Sequence, residues 1–174
     1  VEYHVEAKWA AFSGARVKAC ILAMKQSCNA VEEYLLSDTY VKDWLVRMVA
    51  ARALGVLHSR ESVERLRELV REETPDRIMN PRYEAKYRVK EMVVWSLGEI
   101  GDSACLPELM GCLVAEDFYG VRRLAVQALG RLGDELALPL LDEWSQDSDI
   151  ETKCAAANAA AKIRARAQAL TRSR

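Results

Sequence analysis

The sequence predicts an all-α fold, an α-α superhelix or solenoid of about five helix-pair repeats. Three observations predict it. A ten-residue pattern recurs three times without gaps. Its apolar positions follow a helical period. Only 8 glycines and 4 prolines occur among 174 residues, too little turn material for a β-sandwich. With 51% apolar and 29% charged residues, the chain can bury a core and keep a wet surface, so disorder is not expected.

The repeats come first. Val46 to Gly55, Val89 to Gly98 and Val121 to Gly130 align residue for residue. A basic residue follows each leading Val: Arg47, Lys90 and Arg122. Four places on stand Ala50, Val93 and Ala125. Seven and eight places on stand Ala53-Leu54, Ser96-Leu97 and Ala128-Leu129, and eleven on stand Leu57, Ile100 and Leu132. Apolar residues at 0, 4, 7, 8 and 11 form one face of an α-helix. The small residues among them admit close packing of another helix.

Each segment carries its own stop. Ile100-Gly101-Asp102 and Leu132-Gly133-Asp134 end one helix on glycine and open the next on an acid. His58 aligns with these glycines and reads as a helix-end residue. Pro107 and Pro139 then fall in the first turn of the following helix, where a missing N–H costs little. The unit is therefore two antiparallel helices. Two weaker copies flank the three: Val17-Lys18 with Ile21 and Met24, and Ile150-Glu151 with Cys154 and Ala157. Lys25 and Asn158 replace their core Leu. The starts at 17, 46, 89, 121 and 150 are separated by 29, 43, 32 and 29 residues. Terminal repeats have one face in water and are expected to be atypical, so the array reads as one nearly complete domain over 1–174. The absence of an initial Met points the other way, to a processed form or a piece of something longer.

The stretch Asp117-x-Tyr119-x-Val121-Arg122-Arg123-x-Ala125-x-x-Ala128-Leu129-Gly130-x-Leu132-Gly133-Asp134 resembles the HEAT-like repeat of the phycobilisome-lyase class. The resemblance covers residues 40–160 well and the ends loosely. It implies the solenoid fold. It is far less specific for function, because the motif describes packing. Similar proteins include bilin lyases and their subunits, protein adaptors, and enzymes that use the solenoid as a frame. The iron hydroxylases among them carry repeated His-Glu pairs, which this chain lacks, so that activity is not carried over.

In such arrays the second helix of each pair lines the concave side. Positions 2 and 6 after the leading Val point away from the core stripe. They give Met48, Glu91 and Arg123 at one level and Arg52, Trp95 and Gln127 at the next. A tryptophan on an open face often anchors a partner; cover by a neighbouring helix or loop is the alternative. Trp44, Tyr87 and Tyr119 stand two residues before each leading Val, beside the basic ladder of Arg47, Lys90 and Arg122. Such ladders can stack bases or a planar pigment. The resemblance implies instead aromatics packed at the repeat edge and bases paired with an acid such as Asp43 or Asp117. The long spacing exposes an insertion over 72–87, broken by Pro75 and Pro81, whose Met79 and Tyr83 supply apolar contact; it leads into the helix bearing Trp95 and is expected to form one partner-binding surface with it, a merely tolerated loop being the alternative.

Composition and motifs exclude several classes. Net charge is −1 and the pI about 6.2, whereas a dedicated nucleic-acid binder is usually basic; nucleic acid is not the expected partner. The basic end, Lys162 to Arg174, reads as a solvated helix end. No apolar run approaches about 18 residues, so no membrane span is expected, and no signal peptide is visible. Cys20, Cys28, Cys105, Cys112 and Cys154 form no CxxC pair, and with only His4 and His58 beside them metal spacing is absent. Such scattered cysteines suit a reducing cytoplasm. No glycine-rich phosphate loop appears, and Glu91 and Glu99 stand two turns apart, too far for an acid/base pair. The expectation is a cytoplasmic protein-binding scaffold with no cofactor. A linear tetrapyrrole is the second candidate ligand, and nucleic acid the third.

Overall fold

The computed structural model describes residues 44–71, 83–115 and 118–172. Within them the chain forms seven α-helices: α1 (Trp44–Val56), α2 (Val63–Arg71), α3 (Tyr83–Ile100), α4 (Leu106–Ala115), α5 (Tyr119–Leu132), α6 (Leu138–Trp144) and α7 (Ile150–Arg172). Single 3₁₀ turns, Ser103–Cys105 and Glu135–Ala137, lead into α4 and α6. The expected repeat at Val17 lies outside the described residues, as do Asp43 and Asp117. Residues 83–87 of the expected insertion form the start of α3, so only 72–82 separate the two helices as an undescribed segment.

The helices stack in two rows. In one row α1 packs on α3, α3 on α5, and α5 on α7. The other row holds α2, α4 and α6, each packed against the helix that follows it in sequence. Glycine sets the spacing of the first row. A methyl group added at Gly55 would meet Ser96 at 2.8 Å, one at Gly98 would meet the Ala128 Cβ at 2.6 Å, and one at Gly130 would meet the Ala159 Cβ at 2.8 Å. The bare glycine of each helix thus receives the small residue of the next, and the backbones come close. Contact between α2 and α4 is much lighter. A row drawn tighter than its partner lies on the inside of the bend, which makes α1, α3, α5 and α7 the inner row.

These contacts also correct the last repeat. Ile150 is 74% exposed, and Cys154, Ala157 and Asn158 are exposed too. The buried residues of α7 are Thr152, Ala156, Ala159, Ala160 and Ile163. They stand at 0, 4, 7, 8 and 11, so the repeat starts at Thr152, two residues later than Ile150. Ala159 meets Gly130 as Ala128 meets Gly98. The core Leu is replaced by Ala160, and Asn158 instead faces outward. The sequence hides this start because a Thr fills the place of the leading Val. Its amide is bonded by Asp149, whose Oδ2 accepts from the Thr152 N–H at 2.8 Å. Hydrogen bonding from Thr152, helped by the positive field of Arg122 and Arg123, holds the Asp149 carboxyl below the usual carboxylate range.

Helix ends follow the aligned stop position. Gly101 (φ 71°), Gly133 (φ 76°) and His58 (φ 50°) all adopt the left-handed conformation. That conformation costs a non-glycine residue about 1 kcal/mol. At His58 the ring compensates: Nδ1–H donates to the carbonyl of Glu99 at 2.8 Å, tying the end of α1 to α3. Leu57, expected on the core face, is 42% exposed because α1 has already ended. At the stop position, where the other helices have His58, Gly101 and Gly133, α7 has Arg164, and the helix runs on to Arg172. Asp102 and Asp134 cap the 3₁₀ turns, each accepting at 2.9 Å from the backbone N–H two residues on.

One continuous core joins the rows, with Leu54, Leu66, Leu97, Leu109, Leu113, Leu129, Leu141 and Ile163 fully buried. Cys105 and Cys112 belong to it as buried thiols outside any disulfide. Burial pushes the Cys105 thiol up to about 11, so it serves as packing. In the outer row Glu108 of α4 ties down α2. Its carboxylate receives Arg71 Nη2 at 2.5 Å and lies 3.0 Å from Arg67 Nε. Burial raises the Glu108 carboxyl, but the two guanidinium groups outweigh it and hold it below the usual range.

Candidate functional site

On the corrected register the outward positions of the inner row form three levels. The first holds Met48, Glu91, Arg123 and Cys154, and the second Arg52, Trp95, Gln127 and Asn158. The third, one turn further on, holds Val56, Glu99, Arg131 and Lys162. They share a face because they stand four apart on parallel helices.

Trp95 is half-buried, and the cover is local: Arg52 of α1 lies over its ring with Cζ 4.8 Å from the centroid. This is a cation–π stack across two repeats. Arg123 and Gln127 are exposed. Two expected surface residues are drawn inward. Met48 packs against the core. Glu91 is only 8% exposed, because Gly120 of α5 leaves room for its carboxylate, and Arg88 pairs with it at 3.1 Å. The glycine just before Val121 was the sequence signal for that, since any larger residue would occupy the space of Glu91.

The aromatic and basic ladders do not form one open surface. Tyr87 is 5% exposed and packs on Phe118, with ring centroids 4.7 Å apart. Tyr119 is 59% exposed, and the Arg122 guanidinium lies between its ring (4.5 Å) and that of Trp144 (5.1 Å). Arg47 and Lys90 are buried. Trp44 and Tyr83 open α1 and α3, and their side chains lie outside the described part.

Between α5 and α7 the inner face opens into a groove of about 560 Å³. Its floor is small, formed by Gly130, Ala155 and Ala159, and its walls carry Arg123, Arg131, Lys162 and Arg166. Arg123 pairs with Glu151, and Arg131 pairs with Glu99 of α3 at 2.7 Å. Sequence reasoning missed Arg131, Lys162 and Arg166 as groove residues. The misplaced start of the last repeat hid the alignment of Lys162 with Arg131 and Glu99.

Among the described residues no group of three or more His, Cys, Asp or Glu side chains could hold a metal ion, and no helix is long and apolar enough to cross a membrane. Residues 81–161 match the family model of HEAT repeats, and residues 46–72 match that of the PBS lyase HEAT-like repeat. No curated protein matches the sequence. The two matches agree with the two-row architecture and the glycine-set spacing, and the chain is a HEAT-like repeat protein.

Proposed function

We propose that the chain is a protein-binding scaffold or adaptor that grips a partner on the inner face of α1, α3, α5 and α7. The observation that carries this is the Arg52–Trp95 stack. It holds a large amphipathic ring in a fixed pose on the side of the array that bends inward. Preorganised Trp and Arg residues of this kind dominate the energetics of protein interfaces. The residues beside it, Gln127 and Arg123, supply polar contacts.

A linear tetrapyrrole would need the aromatic ladder as an open surface, and Tyr87 is instead buried against Phe118. Nucleic acid would meet the Glu99 carboxylate on the same face. Both fit less well than a protein.

The test is capture of partners by the immobilised chain, identified by mass spectrometry and repeated with Trp95→Ala and Arg52→Ala. Each variant should weaken the captured partner about tenfold or more while its far-ultraviolet circular dichroism stays that of the parent. A partner held equally by parent and both variants would rule out this face.

A further inference from the structure

We infer that the groove between α5 and α7 receives an acidic segment of the partner, with two carboxylates about one helical turn apart. This rests on the reading of the inner face as a protein-binding surface, and it names the chemistry of the segment bound there.

The charge of the groove is out of balance with the rest of the molecule. The chain as a whole carries −1, yet four cations line this one groove, against Glu151 in its wall and Glu99 at its rim. The two carboxylates are engaged by Arg123 and Arg131. Arg166 donates to the backbone carbonyls of Arg131 at 2.9 Å and Gly130 at 3.4 Å. That fixes its guanidinium at the C-terminal end of α5, whose carbonyls offset part of its charge but supply no carboxylate. Lys162 is exposed beside it. Among the described residues no carboxylate pairs with Lys162 or Arg166. Two cations held near each other without carboxylate partners repel, and an incoming anion relieves that repulsion.

Spacing and shape define the anion. Lys162 and Arg166 are four residues apart on one helix, so their Cα atoms stand about 6 Å apart along its axis. Carboxylates at i and i+4 of a helix, or i and i+2 of a strand, match that distance. The floor of Gly130, Ala155 and Ala159 has no side chain beyond a methyl, which leaves depth for the body of a peptide. A nucleic-acid backbone fits less well. It needs a run of cations along its path, whereas the positive track ends at Glu99 of α3.

The test uses a fluorescein-labelled oligoglutamate peptide and, as the competing polyanion, an oligothymidylate strand of equal charge. Anisotropy at low salt should show the peptide bound more tightly than the strand, with affinity falling as salt rises. Lys162→Ala should weaken the peptide about threefold and Lys162→Glu about tenfold. Lys162 is exposed, so both variants should keep the parental circular dichroism. Lys153→Ala, which removes an exposed cation of α7 that does not line the groove, should leave the peptide unaffected. Oligoglutamate that fails to bind, binds Lys162→Glu as well as the parent, or binds no better than the strand would overturn the proposal. If the partner is lost in Trp95→Ala while the peptide ignores Lys162, the groove alone is wrong. If the partner survives Trp95→Ala and Arg52→Ala while the peptide follows Lys162, the inner-face reading falls and the groove stands.

Discussion

At the α1–α3 seam Gly55 meets Ser96, and the surface above it holds Arg52 stacked on Trp95. At the α5–α7 seam Gly130 meets Ala159, and the surface above it holds Arg123, Arg131, Lys162 and Arg166. The buried contact is the same at both seams, glycine against a small residue. The residues two and six places after each start differ from seam to seam: Arg52 and Trp95 mark the first, Arg123, Gln127, Cys154 and Asn158 the last. Packing therefore repeats while recognition varies, and the two can be perturbed separately.

The largest effect is expected where the packing rule is broken. Gly98→Val drives a branched side chain into Ala128 and should cost about 3 kcal/mol. Ala161 occupies the glycine position of α7 and is exposed, so Ala161→Val should cost only about 0.5 kcal/mol of helix propensity. Urea denaturation compares them, and equal costs would mean that the register of α7 is misplaced.

The outer row should respond next. Glu108→Ala leaves the Arg67 and Arg71 guanidinium groups without their shared carboxylate and should cost about 2 kcal/mol. The folded-state pKa of Glu108 is depressed. Its contribution is therefore fully present above the ordinary carboxylate pKa and lost as pH falls through the lower folded value. Asp149 has the same sign. Acid titration of thermal stability should accordingly be shallower in Glu108→Gln than in the parent. A parallel curve would show that Glu108 is not held ionised by the arginines.

The smallest effects belong to the helix stop. His58→Gly relieves the left-handed strain but loses the Nδ1–H bond to Glu99, and these nearly cancel at about 1 kcal/mol each. His58→Ala keeps the strain and loses the bond, so it should be the less stable by about 1 kcal/mol. Thermal melts of the pair distinguish the two, and equal midpoints would remove the left-handed stop from the account of α1.

The framework was legible because packing leaves a periodic trace. Val89, Val93, Leu97 and Ile100 mark their own face, and Gly101 and Gly133 mark their own stops. The last repeat was legible only in part, because Ala is compatible with either side of a helix and Thr152 masks the leading position. There Ala159-Ala160 with Ile163 was the surer guide than Ile150. The face itself was harder to read. Position alone put Glu91 outside, and only the space over Gly120 brings it in. The tie of Glu108 to Arg67 and Arg71 joins residues some forty positions apart on different repeats, and no local pattern announces it.

The most direct measurement is partner capture and urea denaturation on one preparation of Trp95→Ala. Trp95 is half-buried and stands on the inner face rather than in the core stripe. Capture should fall about tenfold or more, while stability falls by no more than about 1–2 kcal/mol and a single cooperative transition remains. A partner retained at parental strength by a folded Trp95→Ala chain would contradict the account.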